Sequence, residues 1–471
     1  MPSFPSHFDY IVIGAGQAGP PLAAKLVGAG HRVALIEARE LGGTCVNWGC
    51  TPTKTLRKSA RVAHLARRAR DFGVGVAAVE VDFAAAMTRM QERVDASRTG
   101  LAKWMDGLER LCLLAARARL AGRDGDDYVV MAGEQRLTAP RVLLNTGTRP
   151  RRPDIAGLSD TPHLDNESLL ALRQLPAHLL VIGGSYIGLE MAQIFRRLGS
   201  EVSIVEPGDR LAEREDPDVS AAIADMLQAE GIGLHLGQDV ERVDPAAEGV
   251  RMTLAGGKSL RGSHLLVATG RKPNTDAIGL ETVGITPDER GFIQTDPQLR
   301  TSAPGLWALG DINGRGAFTH TSYHDHQVVA ENLLAEPAAP ARSAEDRHAI
   351  YAMFTDPPLG HVGIYEADAR KLVAGGRHIS QAVIPMAQVS RAKEEGETQG
   401  LIKLLIDEDS GCFLGASLLG IGADEIVQVI GQAMAAGTHW KTVRNALPVH
   451  PTVTEFLPTL IDQRQPLEAE R

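Results

Sequence analysis

Two cysteines stand five residues apart in the run GGTCVNWGCTPTK, which covers residues 42–54. This spacing places Cys45 and Cys50 at the expected start of a helix, where the helix amino terminus stabilises a thiolate. The loop between them is short enough for the two sulfurs to form a disulfide and reopen it. The spacing is not that of a zinc knuckle, and the sequence has no second cysteine pair to complete a metal tetrahedron. The pattern therefore favours reversible dithiol chemistry, with two buried, inert cysteines as the alternative.

A glycine-rich turn precedes these cysteines. Its glycines, Gly14, Gly16 and Gly19, follow a short apolar strand, and a helix and a second strand ending at Glu37 come next. Glycines at this spacing let the backbone approach a pyrophosphate, and an acid at the end of the second strand can accept hydrogen bonds from ribose hydroxyls. Strand, helix and acid in this order predict a dinucleotide-binding unit rather than an ordinary glycine-rich turn.

The same order of elements recurs at residues 179–206. The run GGSYIGLE at 183–190 follows an apolar strand, although Ser185 replaces the central glycine of the pattern. Glu206 ends the next strand, where a carboxylate favours a free ribose 2′-hydroxyl and repels a 2′-phosphate. NADH is therefore preferred over NADPH, while nearby Arg210 keeps NADPH open and a solvated strand-end acid is the other interpretation. Two nucleotide units in one chain suggest that one cofactor gives electrons and another receives them.

The remaining pattern predicts an α/β protein with two parallel sheets and a carboxy-terminal α+β region. A boundary is expected in the Arg-Pro-rich stretch at 148–153 and an Ala-Pro linker at 337–340. Further helices are expected at about 55–70, 82–110, 189–198, 319–334 and 423–436, and further strands at about 111–146, 201–206, 382–385, 401–407 and 413–418.

Composition excludes several classes of protein. The 471 residues suit roughly three domains. With 49 basic and 58 acidic residues the net charge is −9, which argues against wholesale binding of nucleic acid or an anionic membrane. The amino terminus lacks the basic and apolar regions of a signal peptide, and no apolar stretch reaches the roughly 18 residues of a membrane span. A cytoplasmic enzyme is expected.

Taken together, the ordered motifs resemble the class I pyridine nucleotide-disulfide oxidoreductases, the FAD-dependent family of dihydrolipoamide dehydrogenase, glutathione reductase and mercuric reductase. The resemblance runs through nearly the whole chain. Its motifs are Gly14 to Gly19, Cys45 to Lys54, Thr146-Gly147, Gly184 to Glu190, Ala268 to Arg271, Gly310-Asp311, and His450 to Thr452 with Glu455.

This resemblance implies a division into domains. It implies two Rossmann-like, three-layer domains and a carboxy-terminal α+β dimerisation domain. The FAD-binding domain would be formed in two parts, residues 1–150 and 273–340. Residues 151–272 would form the NAD(P)-binding domain, and residues 341–471 the dimerisation domain.

The resemblance also implies roles around the flavin. Cys50 would lie next to the flavin and make the charge-transfer contact, and Cys45 would be the interchange thiol that attacks the substrate. Lys54 and Glu190 would form the pair beside flavin N5, and Tyr186 would cover the nicotinamide pocket. The FAD site would be built from Gly14, Gly16, Gly19, Glu37, Gly43, Thr44, Lys54, Thr146, Gly147, Asp311 and His320, with Asp311 on the ribityl chain and the helix from Thr319 aimed at the ring. The NAD(P) site would be built from Gly183, Gly184, Tyr186, Ile187, Gly188, Glu190, Glu206 and Gly270.

A histidine near the carboxy terminus completes the implied site. His450, oriented by Glu455, resembles the acid-base histidine that reaches the interchange thiol from the partner subunit. A base with a pKa near neutrality can hold the thiol proton and return it to the leaving sulfur. Neither subunit alone would contain a whole site, so the resemblance implies a homodimer.

The substrate stays open at this stage. An NAD(P)H-dependent reductase of a small or protein disulfide is favoured, and reduction of a metal ion such as Cu(II) or Hg(II) is the alternative. A redox sensor that controls a partner is a third hypothesis. The family's mercuric reductases typically carry a carboxy-terminal cysteine pair and lack the histidine kept here as His450, so efficient mercury handling is not expected.

Three groups of side chains are expected to be mainly structural: two cysteines, three histidines for which a flavin-proximal role is also open, and a basic helix face for which recognition of an anionic substrate or partner is the alternative. Cys112 and Cys412 are expected in the core. His320, His324 and His326 share a helix at a spacing that does not make a strong metal site, and no metal site is expected. A helix face is expected to be a solvated surface, and its basic residues are Arg57, Lys58, Arg61, Arg67, Arg68 and Arg70.

Overall fold

The structure, a computed structural model, describes residues 6–336 and 339–469. Two residues of the expected Ala-Pro linker, 337 and 338, lie outside this described part. The chain divides into two compact units. One unit takes the chain up to residue 55 together with 87–151 and 270–346, and the other takes 56–86, 152–269 and the chain from 347 onward.

The first unit is built on a parallel five-stranded sheet. Its strands, in order across the sheet, are Leu306–Ala308, Arg141–Leu144, Tyr10–Ile13, Val33–Glu37 and Leu111–Ala115. Alternate side chains of a strand point to opposite faces. Ile11 and Ile13 accordingly pack on an antiparallel sheet, and Tyr10 and Val12 pack on helices. That sheet consists of Ala118–Asp124, Asp127–Ala132 and Gln135–Ala139, and those helices are Gly19–Gly28 and Thr319–Leu334.

The second unit repeats this arrangement. Its parallel sheet has the strands Gly233–Leu236, Glu201–Glu206, His178–Ile182 and His264–Val267. One face packs on an antiparallel sheet of Val240–Ala246, Gly249–Leu254 and Ser259–Gly262. The helices Tyr186–Leu198 and Pro217–Ala229 pack against its strands. The internal repeat expected from the two glycine motifs is confirmed, and it includes the antiparallel layer as well as the parallel one.

In the second unit, the chain from residue 350 onward forms an antiparallel six-stranded sheet with helices. The strands lie in the order Ile350–Met353, Leu359–Gly363, Phe413–Leu419, Leu401–Asp407, Ile379–Pro385 and Gln465–Pro466. The helices are Glu366–Ala374, Ser390–Glu394, Ala423–Ala435, Trp440–Asn445 and Leu457–Asp462. Apolar side chains of the sheet and of the helix Ala423–Ala435 share one core. The expected fold class, α/β with a carboxy-terminal α+β region, is confirmed.

Element boundaries differ from the expectation around the cysteines. The two long helices span Cys50–Arg67 and Phe83–Asp106. The first of them begins at Cys50, whereas Cys45 lies in a separate short helix, Gly43–Asn47. A Cβ on Gly49 would lie 3.0 Å from the carbonyl oxygen of Thr44, so the chain between the two helices folds back closely on itself. The expectation that both thiols open one helix is therefore wrong.

The two other cysteines have different surroundings. Cys112 lies in the strand Leu111–Ala115 and packs, partly buried, against the core of the first unit. Cys412 precedes the strand Phe413–Leu419, and its Sγ lies 3.9 Å from the carbonyl oxygen of Gly437. Both cysteines are half-buried, but among the described residues only Cys112 packs against a hydrophobic core, so the expectation of a core residue is wrong for Cys412. In the described part of the chain, no helix has the length and apolar character needed to cross a membrane.

Glu215 gives the fold a testable pH dependence. Burial raises the pKa of Glu215 to about 7, although the Tyr351 hydroxyl donates a hydrogen bond to its carboxylate. Between about pH 4.5, its ordinary pKa, and pH 7 the unfolded chain loses the proton while the folded chain keeps it. The free energy of unfolding is therefore highest below pH 4.5 as far as Glu215 is concerned. It falls by on the order of 3 kcal/mol in total as the pH rises through 7. We expect Glu215→Gln to unfold at a higher urea concentration than wild type at pH 8, and at nearly the same concentration at pH 5. Glu241→Gln, at an exposed position, is the control, and an equal difference at both pH values would contradict this account.

Candidate active site

The first glycine loop leaves no room for side chains. Gly14 has φ +103°, and a Cβ there would lie 2.2 Å from the carbonyl oxygen of Asn145. A Cβ on Gly19 would lie 2.2 Å from the carbonyl oxygen of Gly14, and one on Gly43 would lie 2.9 Å from the Cα of Gly16. Backbone therefore packs directly on backbone where the strand Tyr10–Ile13 ends and the helix begins, and this tight turn is the geometry that lets a pyrophosphate approach the helix amino terminus.

Two polar side chains hold this loop in place. The carboxylate of Glu37 accepts hydrogen bonds from the amides of Ala15 at 2.7 Å and Arg39 at 2.8 Å. The Asn145 side chain accepts from the Gly19 amide at 3.1 Å and donates to the Leu309 carbonyl at 3.0 Å. Sequence reasoning missed Asn145. Its position at the end of the strand Arg141–Leu144, next to the first strand in the sheet, is the signal that could have found it.

Asp311 lies in a second cluster of the first unit. The Thr148 hydroxyl donates to its carboxylate at 3.0 Å, and burial raises the pKa of Asp311 while the charge of Arg271 opposes that rise. Asp325 supports the same turn, because its carboxylate accepts from the amide of Gly310 at 2.8 Å and from the side chain of Asn313 at 3.0 Å. The turn that presents Asp311 is thus held by buried hydrogen bonds.

Other residues predicted for FAD binding lie around Arg271. Its guanidinium donates to the Thr148 hydroxyl at 2.7 Å and to the Thr44 hydroxyl at 3.4 Å. Thr146 is held through Asn274, which donates from its side chain to the Thr146 carbonyl at 2.8 Å. The Asn274 amide in turn donates to the carbonyl of Gly147 at 3.0 Å.

The thiols are in contact with the start of a helix. The Cys50 Sγ lies 3.2 Å from the Thr319 Oγ1, at the amino terminus of Thr319–Leu334. The pKa of Cys45 is raised, mainly by a hydrogen bond with Cys50 and to a smaller extent by burial. A hydrogen bond with Thr319 and the positive charge of Lys54 act to lower this pKa. Two neighbouring thiols that share one proton raise the pKa of the second ionisation, because the second thiolate would form beside the charge of the first. His320 follows Thr319 and stacks on Phe318 with ring centroids 5.6 Å apart.

The second glycine loop repeats the contacts of the first. Gly183 has φ +113°, and a Cβ there would lie 2.5 Å from the Ala268 carbonyl oxygen. A Cβ on Gly188 would lie 2.1 Å from the carbonyl oxygen of Gly183. The carboxylate of Glu206 accepts from the Gly184 amide at 2.6 Å, just as Glu37 holds the first loop. The serine at the central glycine position is accommodated, because Ser185 is exposed.

The helix after this loop carries three more predicted residues. Tyr186 and Ile187 are half-buried in its first turn, and Glu190 is buried one turn later. The Glu190 carboxylate accepts a hydrogen bond from the amide of Phe354 at 2.8 Å. Gly270, predicted for the NAD(P) site, belongs to the first unit, whereas the other residues of that predicted site belong to the second.

His450 and Glu455 form a hydrogen-bonded pair. The His450 Nδ1 lies 2.8 Å from the Glu455 carboxylate. The imidazole side chain is 76% exposed and the carboxylate side chain 13%. Thr452 holds the loop between them, donating to the Val449 carbonyl at 2.8 Å and accepting from the Glu455 amide at 3.2 Å.

Only half of the residues of the basic helix face lie on a solvated surface. Arg57 and Arg61 bind the carboxylate of Asp356, and Arg68 binds Glu397 and the carbonyl of Gly396. These three arginine side chains are 22–27% exposed. Lys58 and Arg70 are exposed, and so is Arg67, which donates to the Arg197 carbonyl. The expectation of a solvated surface is wrong for Arg57, Arg61 and Arg68, because the acids that neutralise them lie far away along the chain.

Comparisons with known proteins match nearly the whole chain. Residues 8–325 match the pyridine nucleotide-disulphide oxidoreductase family, and residues 350–461 match the dimerisation domain of that family. The chain belongs to the pyridine nucleotide-disulfide oxidoreductases. It is 34% identical to the probable pyridine nucleotide-disulfide oxidoreductase RclA of Escherichia coli, over 96% of this chain and 98% of that one.

Two further relatives are informative. A solved structure, the Cu(II) complex of the HOCl-induced flavoprotein disulfide reductase RclA from Escherichia coli, superposes with a TM-score of 0.87. It has 33% sequence identity and covers 97% of this chain and 99% of that chain. The mercuric reductase of Streptomyces lividans is 33% identical, over 91% of this chain and 90% of its own length.

Family membership makes this chain an oxidoreductase that uses FAD and NAD(P)H. The observed loops fit both cofactors, because each presents bare backbone between a strand and a helix and has a carboxylate at the end of the next strand. In the described residues no group of three or more metal-binding side chains comes together.

Asn145 provides a test of the first loop. Asn145→Ala leaves the Gly19 amide and the Leu309 carbonyl without their partner, a loss of about 1–3 kcal/mol for buried groups. We expect the dissociation constant of FAD to rise roughly 10- to 100-fold, measured by flavin fluorescence during titration of the apoprotein.

Asn332→Ala is the matched control, because Asn332 also makes two hydrogen bonds to backbone in the same unit, but these bonds are exposed to solvent. Equal FAD affinity in the two variants would show that Asn145 does not support the loop.

Proposed function

We propose that the chain is an NAD(P)H-dependent disulfide reductase that works through Cys45 and Cys50. The contact between Cys50 and Thr319 carries the proposal, because it joins a redox-competent thiol to the amino terminus of a helix. FAD, when bound, supplies the two-electron relay between nicotinamide and dithiol. Gly14, Gly16, Gly19 and Glu37 would hold the nucleotide part of FAD. The other residues proposed for its site are Gly43, Thr44, Lys54, Thr146, Gly147, Asp311 and His320.

The dithiol half of the reaction follows from the two sulfurs. The Cys45 thiolate attacks one sulfur of the substrate disulfide, forms a mixed disulfide and releases the first thiol. Cys50 then attacks the Cys45 sulfur, which releases the second thiol and leaves the Cys45–Cys50 disulfide. Two electrons and two protons leave the protein, and the substrate disulfide becomes two thiols. The hydrogen bond that raises the pKa of Cys45 keeps one proton between the sulfurs until a base removes it.

His450 is the proposed base, and the partner subunit of a homodimer is its proposed source. The match to the dimerisation domain supports the homodimer. Glu455 fixes the imidazole by binding Nδ1, which leaves Nε2 to take the proton of the interchange thiol and return it to the departing sulfur.

The nicotinamide site is proposed on the second loop. Gly183, Gly184 and Gly188 would receive the pyrophosphate, with Tyr186, Ile187 and Gly270 beside the nucleotide. Glu206 favours NADH, because its carboxylate, fixed by the amides of Gly184 and Gly208, would repel a 2′-phosphate. Lys54 and Glu190 are proposed to lie beside the flavin ring. We place the reaction in the cytoplasm, where NADH is present and thiols stay reduced.

Reduction of a metal ion is the second candidate. It is favoured by the Cu(II) complex of the related RclA and by the similarity to a mercuric reductase. In that case Cys45 would bind the metal ion as substrate, and the same dithiol would supply the electrons.

Cysteine variants separate the roles of the two thiols. Cys50→Ser should remove the long-wavelength absorption band that two-electron reduction produces in the wild type, since that band needs a thiolate at the flavin. Cys45→Ser should lower disulfide-dependent NADH oxidation by about 1,000-fold or more, because the attacking nucleophile is lost. Spectra during anaerobic titration and assays on a disulfide panel measure these effects. Cys412→Ser, at a half-buried thiol outside the proposed site, should behave as wild type.

The same variants decide between disulfides and metal ions. If the metal ion is the substrate and is bound by Cys45, Cu(II)-dependent NADH oxidation should exceed every disulfide-dependent rate and disappear in Cys45→Ser. Copper-dependent oxidation that persists in this variant would contradict metal reduction by the dithiol.

Mixed dimers test the shared site. Cys45→Ser and His450→Ala should each be nearly inactive alone. Unfolded together and refolded as an equal mixture, they should recover about a quarter of the wild-type activity. Half of randomly paired dimers contain one protomer of each kind, and each such dimer has one intact Cys45–His450 site out of two. Refolding each variant alone is the control, and a mixture no more active than its components would contradict a histidine lent by the partner.

A further inference from the structure

Asp356 binds three arginines from two helices. Its carboxylate accepts from Arg61 at 2.5 Å and Arg57 at 3.3 Å, both on Cys50–Arg67, and from Arg197 on Tyr186–Leu198. The side chain of Asp356 is 4% exposed. Burial acts to raise the pKa of Asp356, yet the charges of Arg197, Arg61 and Arg57 hold it below its ordinary value. The carboxylate is therefore a buried anion that depends on these partners.

The backbone of Asp356 and Phe354 is hydrogen-bonded to one face of the helix Tyr186–Leu198. The Asp356 amide donates to the Gln193 side chain at 2.7 Å, and the Asp356 carbonyl accepts from Gln193 at 2.9 Å and from Arg197 at 2.7 Å. Two residues earlier, the amide of Phe354 donates to Glu190. Glu190, Gln193 and Arg197 lie three and four residues apart, so they share one face of Tyr186–Leu198.

Residues 354–356 also contact the helix Cys50–Arg67. Arg57 donates to the Thr355 carbonyl at 3.0 Å, and its guanidinium lies 5.9 Å from the centre of the Phe354 ring. Residues 354–356 are thus bound on one side by Glu190, Gln193 and Arg197, and on the other by the arginines of the helix that begins at Cys50. Removing the anion would leave Glu230 on Arg197 and Glu397 near Arg61 as the remaining acids among these guanidinium groups. The unbalanced positive charge would loosen the segment, which would then be held by its backbone hydrogen bonds alone.

We propose that Asp356 is a positioning residue for the reaction with nicotinamide, acting through the Phe354 amide on the carboxylate of Glu190. This inference rests on the proposed function, in which Glu190 lies beside the flavin. Asp356 touches neither a proposed cofactor contact nor a reacting sulfur in this account. Its effect is to hold the Phe354 amide in place, so that this amide keeps its hydrogen bond to the Glu190 carboxylate and helps to fix the direction of that carboxylate.

Asp356→Asn tests the proposal, since it keeps the size of the side chain and removes its charge. We expect the rate of flavin reduction by NADH, measured by stopped-flow absorbance in the FAD-loaded dimer, to fall about tenfold or more with little change in the NADH dissociation constant. In the Glu190→Gln background the same change should lower the rate less than twofold, because residues that act through one another are not additive. Gln193→Met removes the two contacts of Gln193 with the Asp356 backbone and its hydrogen bond to Glu230 but keeps the Asp356 charge, so it should give a smaller fall of the same kind.

Glu397→Gln is the matched control. It removes another buried carboxylate of the arginine cluster without touching residues 354–356, so its flavin reduction rate should stay within twofold of wild type. A second readout does not use activity: hydrogen exchange of the Phe354 amide in the apoprotein should accelerate in Asp356→Asn and not in Glu397→Gln.

The outcomes distinguish this inference from the function on which it rests. Equal effects of Asp356→Asn in the wild-type and Glu190→Gln backgrounds, or unchanged exchange at the Phe354 amide, would overturn the positioning role while leaving the reductase intact. If neither NADH nor NADPH reduces the flavin of the wild-type protein, both the positioning role and the proposed function are wrong.

Discussion

A contact between backbone and backbone governs both nucleotide loops. In each parallel sheet, the first glycine after the central strand lies against the carbonyl oxygen that follows a neighbouring strand, that of Asn145 for Gly14 and that of Ala268 for Gly183. No residue with a Cβ fits there, and only glycine adopts the positive φ without strain. This approach fixes where the following helix begins, and therefore where its unpaired amides point.

Strand-end acids reinforce the same geometry. Glu37 and Glu206 each bind an amide of their own glycine loop, so the carboxylate that could select a ribose also holds the loop. Architecture and cofactor recognition are consequently coupled at these two positions. A serine fits at the centre of the second motif because Ser185 is exposed, whereas Gly183 and Gly188 on either side each lie against a backbone carbonyl.

Much of this arrangement was predictable from local sequence. The glycine spacing, the apolar strands and the acids at their ends lie within about thirty residues of one another, and their interactions depend on strand and helix periods that the sequence displays. The same holds for the five-residue spacing of the cysteines, although the break between two helices at Trp48 and Gly49 depended on a tight fold that the pattern does not reveal. The family resemblance was confirmed by matches over both parts of the chain.

What escaped prediction depends on pairs distant along the chain. Asn145 is 126 residues from Gly19, and Asp356 is 299, 295 and 159 residues from Arg57, Arg61 and Arg197. The residues of a basic helix face, considered alone, predict a solvent-exposed surface, because the acids that neutralise them come from another part of the fold. Buried charge is a property of the assembled tertiary structure, and no local period encodes it.

The loop that carries His450 has a consequence for how two subunits would meet. Thr452 ties both ends of the turn, and Glu455 holds the ring nitrogen, all through contacts within a stretch of seven residues. The imidazole is thus oriented before any encounter, with its rotamer and tautomer already chosen. The turn itself would lose little conformational freedom on association. Leu447 and Val449, exposed beside it, present apolar surface whose burial would favour association.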